Sequence, residues 1–186
     1  MFNKNQVVAV VMGGPSAERE VSLNTGAAIA NALREYGYTN VVEIDLDPRN
    51  FGKQLAESKA EVVFNAVHGL YGEDGRLQTL LEIREMPYTG SGMIASVSCM
   101  DKVITKRMLR DAGISTPACL IVNKKESGIK EKIMQRFSLP VVIKPASQGS
   151  SIGVEIVKEE KQLDEALANA FKYSRDILVE EFIGGK

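Results

Sequence analysis

The sequence predicts an α/β chain in two parts, a parallel sheet wrapped by helices followed by an α+β unit. Three observations carry this. Residues 6–12, 41–46 and 62–67 are short runs that are apolar on both faces, the mark of strands covered by helices on each side. Between the first two runs, Ala17, Val21, Ala28, Ile29, Ala32, Leu33 and Tyr36 recur at helical spacing. From Asp101 onward the order of elements changes, with strand pairs joined by a glycine-containing loop. Strands alternating with helices close as right-handed βαβ units, so the first half is Rossmann-like in topology.

Taken in order, the first strand exits at Gly13-Gly14 and leads to a helix that Gly37 stops. A second helix is expected over residues 75–85 with Leu77, Leu80 and Leu81 inward, and then a turn, MPYTGSG. In the second part, a helix over 101–112 places Val103, Ile104, Met108 and Leu109 on one face and ends at Gly113, with Pro117 marking a connection. Strand 119–122, helix 129–137, strand 141–144, strand 152–157, helix 163–171 and strand 177–183 follow. The expected domains are 1–100 and 101–186.

A chain of 186 residues has room for one generous domain or two small ones. Its 44% hydrophobic and 25% charged residues are globular values that argue against disorder. A net charge of -1 leaves no basic footprint for nucleic acid or an anionic membrane, so a bound anion must be held by local geometry. No apolar run approaches the ~20 residues that cross a bilayer, and a cytoplasmic protein without membrane contact is expected. Cys99 and Cys119 lack CxxC spacing and are expected to be buried, reduced thiols.

Four stretches hold the candidate chemistry. GGPSAERE puts Glu18 on the first turn of a helix at the C-terminal edge of a parallel sheet, where such sheets bind ligands. That Glu is either a helix-dipole partner or the receiver of a substrate ammonium. The turn is neither the GxGxxG fingerprint nor a P-loop. His68 ends the third strand at the same edge, in HGLYGEDG, where Glu73 and Asp74 read as loop and N-cap acids. In VVIKPASQGSSIGV a lysine ends a strand and Gly149 and Gly153 flank Ser150 and Ser151. This is either a hairpin loop or a mobile flap that folds over phosphate, with Lys144 and Lys102 as point charges. ILVEEF ends a strand in two acids, either a polar terminus or a reader of an adenine edge with Phe182 on the ring.

Together GGPSAEREVSLNTG, HGLYGEDGRLQ, PYTGSGMIASVSCMDKVITK, VVIKPASQGSSIGV and LVEEFI resemble, in order and separation, the motifs of the D-alanine:D-alanine ligase family of the ATP-grasp superfamily. The resemblance covers essentially the whole chain. It implies a pre-ATP-grasp domain followed by the N-terminal subdomain of an ATP-grasp fold, with the C-terminal subdomain absent. It also implies that the first glycine turn serves the amino acid: Glu18 matches the receiver of the first D-alanine's ammonium, with Ser22 and His68 beside that substrate. Lys102 and Lys144 match ATP phosphate contacts; Gly149, Ser150 and Ser151 match the flap, with Ser150 linked by hydrogen bonds to the Glu and, like it, counted as catalytic. Glu180, Phe182 and Ile183 match adenine-holding positions, and Glu181 is counted with them. Gln148 stands where many relatives carry an acid.

The implied reaction joins two D-alanines for peptidoglycan through an acylphosphate, consuming ATP with Mg²⁺. Family members continue past residue 186 with the metal ligands, so no metal site is expected in this chain, which is expected to fold, at least in its first half, without being competent alone. Two other readings stand beside this one. The chain could be a non-catalytic module that binds D-alanine or pairs with another chain, a homodimer included, through an exposed sheet edge; or it could be part of a D-alanine:D-lactate ligase.

Overall fold

The first unit is built from β1 (Val7–Met12), α1 (Arg19–Glu35), β2 (Asn40–Asp45), α2 (Phe51–Ser58), β3 (Val62–Asn65), α3 (Arg76–Glu82) and the start of α4 (Met93–Met100), whose end from Ser98 belongs to the second unit. Its sheet is parallel with order β2-β1-β3, and Tyr88 adds a parallel bridge to Val63. β1 is central, and Ala9, Val10 and Val11 are fully buried. One face packs Ala9, Val11, Ile44 and Val63 on Phe51, Leu55, Leu77 and Leu81; the other packs Val10 and Met12 on Ala30 and Ala66. The mixed α/β architecture is the one the alternating pattern predicts. This computed structural model describes residues 3–185, and chain contacts divide it into Met1–Val97 and Ser98–Lys186.

α1 presents a different face from the expected one. Val21 is 56% and Tyr36 74% exposed, while Ser22, Gly26 and Ala30 are buried. The cause is close approach: a Cβ on Gly26 would stand 2.5 Å from Met12 Cβ. The helix reaches the sheet on its small residues, and Leu23, Ile29 and Leu33 pack at the sides. Two helices have no counterpart in the sequence reading. α2 shows only two buried apolar positions in eight residues, and α4 follows directly after the segment read as a turn. Glu82 anchors that segment, accepting from Tyr88 Oη at 2.6 Å and the Met93 N-H at 2.9 Å. Burial, then the bond to Glu82, pushes the Tyr88 phenol up to about 12.

The second unit holds α5 (Lys102–Asp111), β4 (Cys119–Asn123), α6 (Ile129–Arg136), β5 (Val141–Pro145), β6 (Glu155–Val157), α7 (Leu163–Ala170) and β7 (Asp176–Glu181). The sheet is antiparallel, ordered β4-β7-β5-β6. Side chains alternate across it. Val141, Ile143, Ile177 and Val179 enter the core with Ile133, Leu163, Ala166 and Ala170, which leaves Val142, Lys144, Leu178 and Glu180 on the opposite face.

α5 departs from its predicted amphipathic packing. None of its residues is buried; Ile104 is 36% and Met108 54% exposed. Polar links hold it instead. The Asp101 carboxylate caps the Val103 and Ile104 N-H groups at 2.9 and 3.1 Å, and the Thr105 hydroxyl donates to Ser98 O at 2.6 Å. Both cysteines are free, but neither is buried as expected: Cys99 is exposed and Cys119 half-buried, and α4 turns Ser96 inward instead.

Urea unfolding separates the two kinds of apolar position. Leu81→Ala, at a fully buried site, is expected to cost about 2–5 kcal/mol. Met108→Ala is expected to stay within about 0.5 kcal/mol.

Candidate functional site

In the first unit the candidate residues converge at the C-terminal edge of the parallel sheet. β1 exits through Gly13 and Gly14, both at positive φ. A Cβ on Gly13 would lie 2.2 Å from Asp45 Oδ1, so the turn is pressed against β2. Arg19 locks it from the other side, donating to both Asp45 oxygens, at 2.8 Å to Oδ1, and to Gly14 O at 3.2 Å. A cavity of about 450 Å³ opens beside this pair, lined by Gly14, Pro15, Leu46 and Pro48 among others.

Glu18 is the N-cap residue of α1, yet its side chain makes no capping bond. The Glu18 N-H is satisfied by Ser16 Oγ at 2.9 Å. Its carboxylate rests against Gly69, where a Cβ would stand 2.7 Å from Oε2, and it forms no ion pair among the described residues. His68 is one residue away. Its Nε2 lies 3.2 Å from the Thr25 hydroxyl, and its Nδ1 is 3.7 Å from Glu73 Oε1. Glu73 also accepts the Gly69 N-H at 3.1 Å, so it orders the His68 loop from within.

That loop is rigid from below. Asn65 Nδ2 and Gln78 Nε2 both donate to Gly72 O, at 2.8 and 2.7 Å. Gly72 itself packs where a Cβ would stand 2.0 Å from Val67 O. Asp74 accepts from Tyr71 N at 2.9 Å and Arg76 N at 3.1 Å, and Arg76 stacks over the Tyr71 ring at 5.0 Å. Sequence reasoning missed Thr25, Asn65 and Gln78. Only the polar character of Gln78 amid an apolar helix face signalled it.

Ser22 is corrected. Expected beside substrate, it is 0% exposed. Its hydroxyl accepts from Gly13 N at 2.8 Å and donates to Ala66 O at 2.7 Å. It ties β1, α1 and β3 together behind the edge.

In the second unit, Glu180 and Lys144 share the sheet face opposite the core. Val142 stands opposite Glu180 in the register, so Lys144, two residues on, is its diagonal neighbour. Lys144 Nζ lies 2.5 Å from Glu180 Oε2 and Lys106 Nζ 2.8 Å from Oε1. The latter approach lacks hydrogen-bond geometry, so Oε1 is a buried acceptor without a hydrogen-bond donor. Lys102 donates to Gln148 O at 2.5 Å. Burial lowers its pKa, helped by nearby Lys144 and opposed by Asp101 and Glu180. Three lysines thus surround one carboxylate, an arrangement suited to polyanions.

The loop after β5 carries Gly149, Ser150 and Ser151, with both serines exposed and Ser150 at φ 54°. β6 starts only at Glu155, because residues 151–154 form a turn closed by Val154 N to Ser151 O at 3.1 Å. Gly153, expected to lend mobility, is demanded by contact: a Cβ there would meet Pro145 Cγ at 2.8 Å and Tyr173 Cδ2 at 2.9 Å. β7 ends at Glu181, short of the predicted end. Glu181 is turned onto the Ala118 N-H at 2.7 Å, while Phe182 and Ile183 stand 42% and 62% exposed. Among the described residues no group of three His, Cys, Asp or Glu could hold a metal ion, and no helix is long and apolar enough to cross a membrane.

Comparison with known proteins follows this geometry. Residues 47–91 match the family description "D-ala D-ala ligase N-terminus" and residues 108–186 "D-ala D-ala ligase C-terminus". The chain is 48% identical to a D-alanine–D-alanine ligase of Moorella thermoacetica, over 96% of this chain and 59% of that protein. It is 46% identical to one of Carboxydothermus hydrogenoformans, over 96% and 58%. A Bacillus anthracis D-alanine–D-alanine ligase solved in complex with ATP superposes with TM-score 0.83 at 34% identity, over 97% of this chain and 60% of that one. The Helicobacter pylori enzyme gives 0.79 at 31%, over 97% and 65%. The chain therefore spans about three fifths of the length of the curated relatives it matches.

Asp45 offers a pH test of the turn. Its pKa is lowered chiefly by the hydrogen bonds from Arg19, against burial and with help from Gly14 N-H. A lowered folded-state pKa means the pair stabilises above the ordinary carboxylate range, near pH 4. That stability is lost as pH falls through the lowered value. Because both side chains are about half exposed, the contribution is under about 1 kcal/mol. Asp45→Asn should lower the urea midpoint at neutral pH, and the gap from the parent should narrow progressively as the pH falls below the ordinary carboxylate range.

Proposed function

The chain belongs to the D-alanine–D-alanine ligase family, and we propose that it supplies the first amino-acid site and the phosphate flap of an ATP-dependent ligase that joins two D-alanines. The observation that carries this is Glu18: a carboxylate without an ion pair at the C-terminal edge of a parallel sheet, backed by a helix and faced by a braced His68 loop. A carboxylate so placed receives an ammonium by charge-assisted hydrogen bonds. The Arg19–Asp45 clamp holds the turn before it, and Ser22 acts from behind as a positioning residue.

In the same proposal, Lys102 and Lys144 take phosphate oxygens, Gly149, Ser150 and Ser151 close over them, and Glu180, Phe182 and Ile183 hold the adenine. Glu18 in the first unit and Ser150 on the flap of the second are each proposed as catalytic residues. Glu181 is counted with this set; its carboxylate accepts the Ala118 N-H. ATP, when bound, supplies the phosphoryl group that activates a carboxylate, and the lysines stabilise the charge on its oxygens. Mg²⁺, which such transfers use, has no ligands assigned among the described residues. A role in the cytoplasmic synthesis of peptidoglycan precursors follows from the same reading.

The test is D-alanine titrated into isotope-labelled protein, with ATP titrated separately. D-alanine is expected to move the amide signals of His68 and Gly69, with affinity falling about ten- to a hundredfold in Glu18→Ala. ATP is expected to bind the parent and Glu18→Ala alike. Absence of any D-alanine response at these amides, or its persistence in Glu18→Ala, would overturn the assignment.

A further inference from the structure

We infer that Lys106 is a positioning residue for the nucleotide base: it holds the Glu180 carboxylate from behind and aims it at the amino edge of a purine. The inference rests on the proposed role of Glu180, and it gives a task to a buried cation that the proposed function leaves unused. Lys106 is only 12% exposed and the Glu180 side chain 5%. The Lys106 ammonium donates to Thr116 Oγ1 and Pro117 O, both at 2.5 Å, and forms an ion pair with Glu180 Oε1 at 2.8 Å. Lys106 is therefore held within this cluster by two hydrogen bonds and one buried ion pair.

The two oxygens of Glu180 face different lysines. Oε1, sealed from solvent, meets Lys106; Oε2 meets Lys144, which is 23% exposed. Lys144 is the cation assigned to phosphate, and its ammonium cannot serve phosphate and Oε2 equally well. Lys106 is the partner that keeps Glu180 compensated when Lys144 turns to phosphate, since a buried carboxylate without a cation is strongly unfavourable. It also fixes the plane of the carboxylate, leaving Oε2 to accept from an exocyclic amino group. The anchors come from three segments, α5, the connection before β4, and β7, so the base site is set by the tertiary fold.

Calorimetry with ATP and with purine riboside 5′-triphosphate, which lacks the 6-amino group, tests this on the parent protein, Lys106→Met, Lys106→Arg and Thr116→Val. The parent is expected to prefer ATP. Lys106→Met is expected to weaken ATP at least about tenfold with little change for the analogue, so that discrimination collapses. Lys106→Arg is expected to restore part of it. Thr116→Val removes one anchor without touching Glu180 and is expected to reduce discrimination more modestly; it carries the test if Lys106→Met fails to fold. Equal weakening of both nucleotides, or unchanged discrimination in folded Lys106→Met and Thr116→Val, overturns the role of Lys106. A parent protein that does not discriminate overturns the reading of Glu180 itself.

Discussion

Buried polar groups must find partners inside the protein, and both units are organised around that demand. In the first, three strand and loop ends meet where water is excluded. The Ser22 hydroxyl closes the gap between Gly13 N and Ala66 O. Asn65 and Gln78 close the one beneath Gly72. Each bond is ordinary in strength, but leaving any of the groups unpaired would cost about 1–3 kcal/mol. The half-buried chemistry of Glu18 and His68 stands on this inner layer.

The second unit meets the same demand with charge. Glu180 sits in an inner strand with its backbone paired to β4 and β5, and its side chain is only 5% exposed. Two lysines from different elements compensate it, and a third, Lys102, is tied to the flap backbone. The result is a surplus of positive charge beside a loop rich in backbone donors. Such surplus comes from local packing, since the whole chain carries a net charge of only -1.

Glycine has two distinct uses in these sites. Gly13 and Gly69 bring backbone close to a carboxylate at positive φ. Gly153, which reads in the sequence as a source of motion, is instead where the flap base packs on Pro145 and Tyr173. The two uses look alike in a sequence, because both appear only as a missing side chain in a loop.

The sequence by itself determined the alternation of strands and helices, the glycine turns at strand exits, and the order of motifs that resembles one ligase family. Those are local properties, readable from period and spacing. It misjudged the buried face of α1, because Ser22, Gly26 and Ala30 are chosen by how near the helix comes to Met12. It overlooked α2 and α4, whose short apolar patterns lack clear period. Only the tertiary structure decided that Ser22 is a strut, that Glu181 is held by a backbone amide, and that Lys106 backs Glu180. Each depends on a partner distant in sequence, 44 residues for Ser22 and Ala66 and 63 for Ala118 and Glu181. No local pattern encodes which distant groups folding will bring within a hydrogen bond's reach.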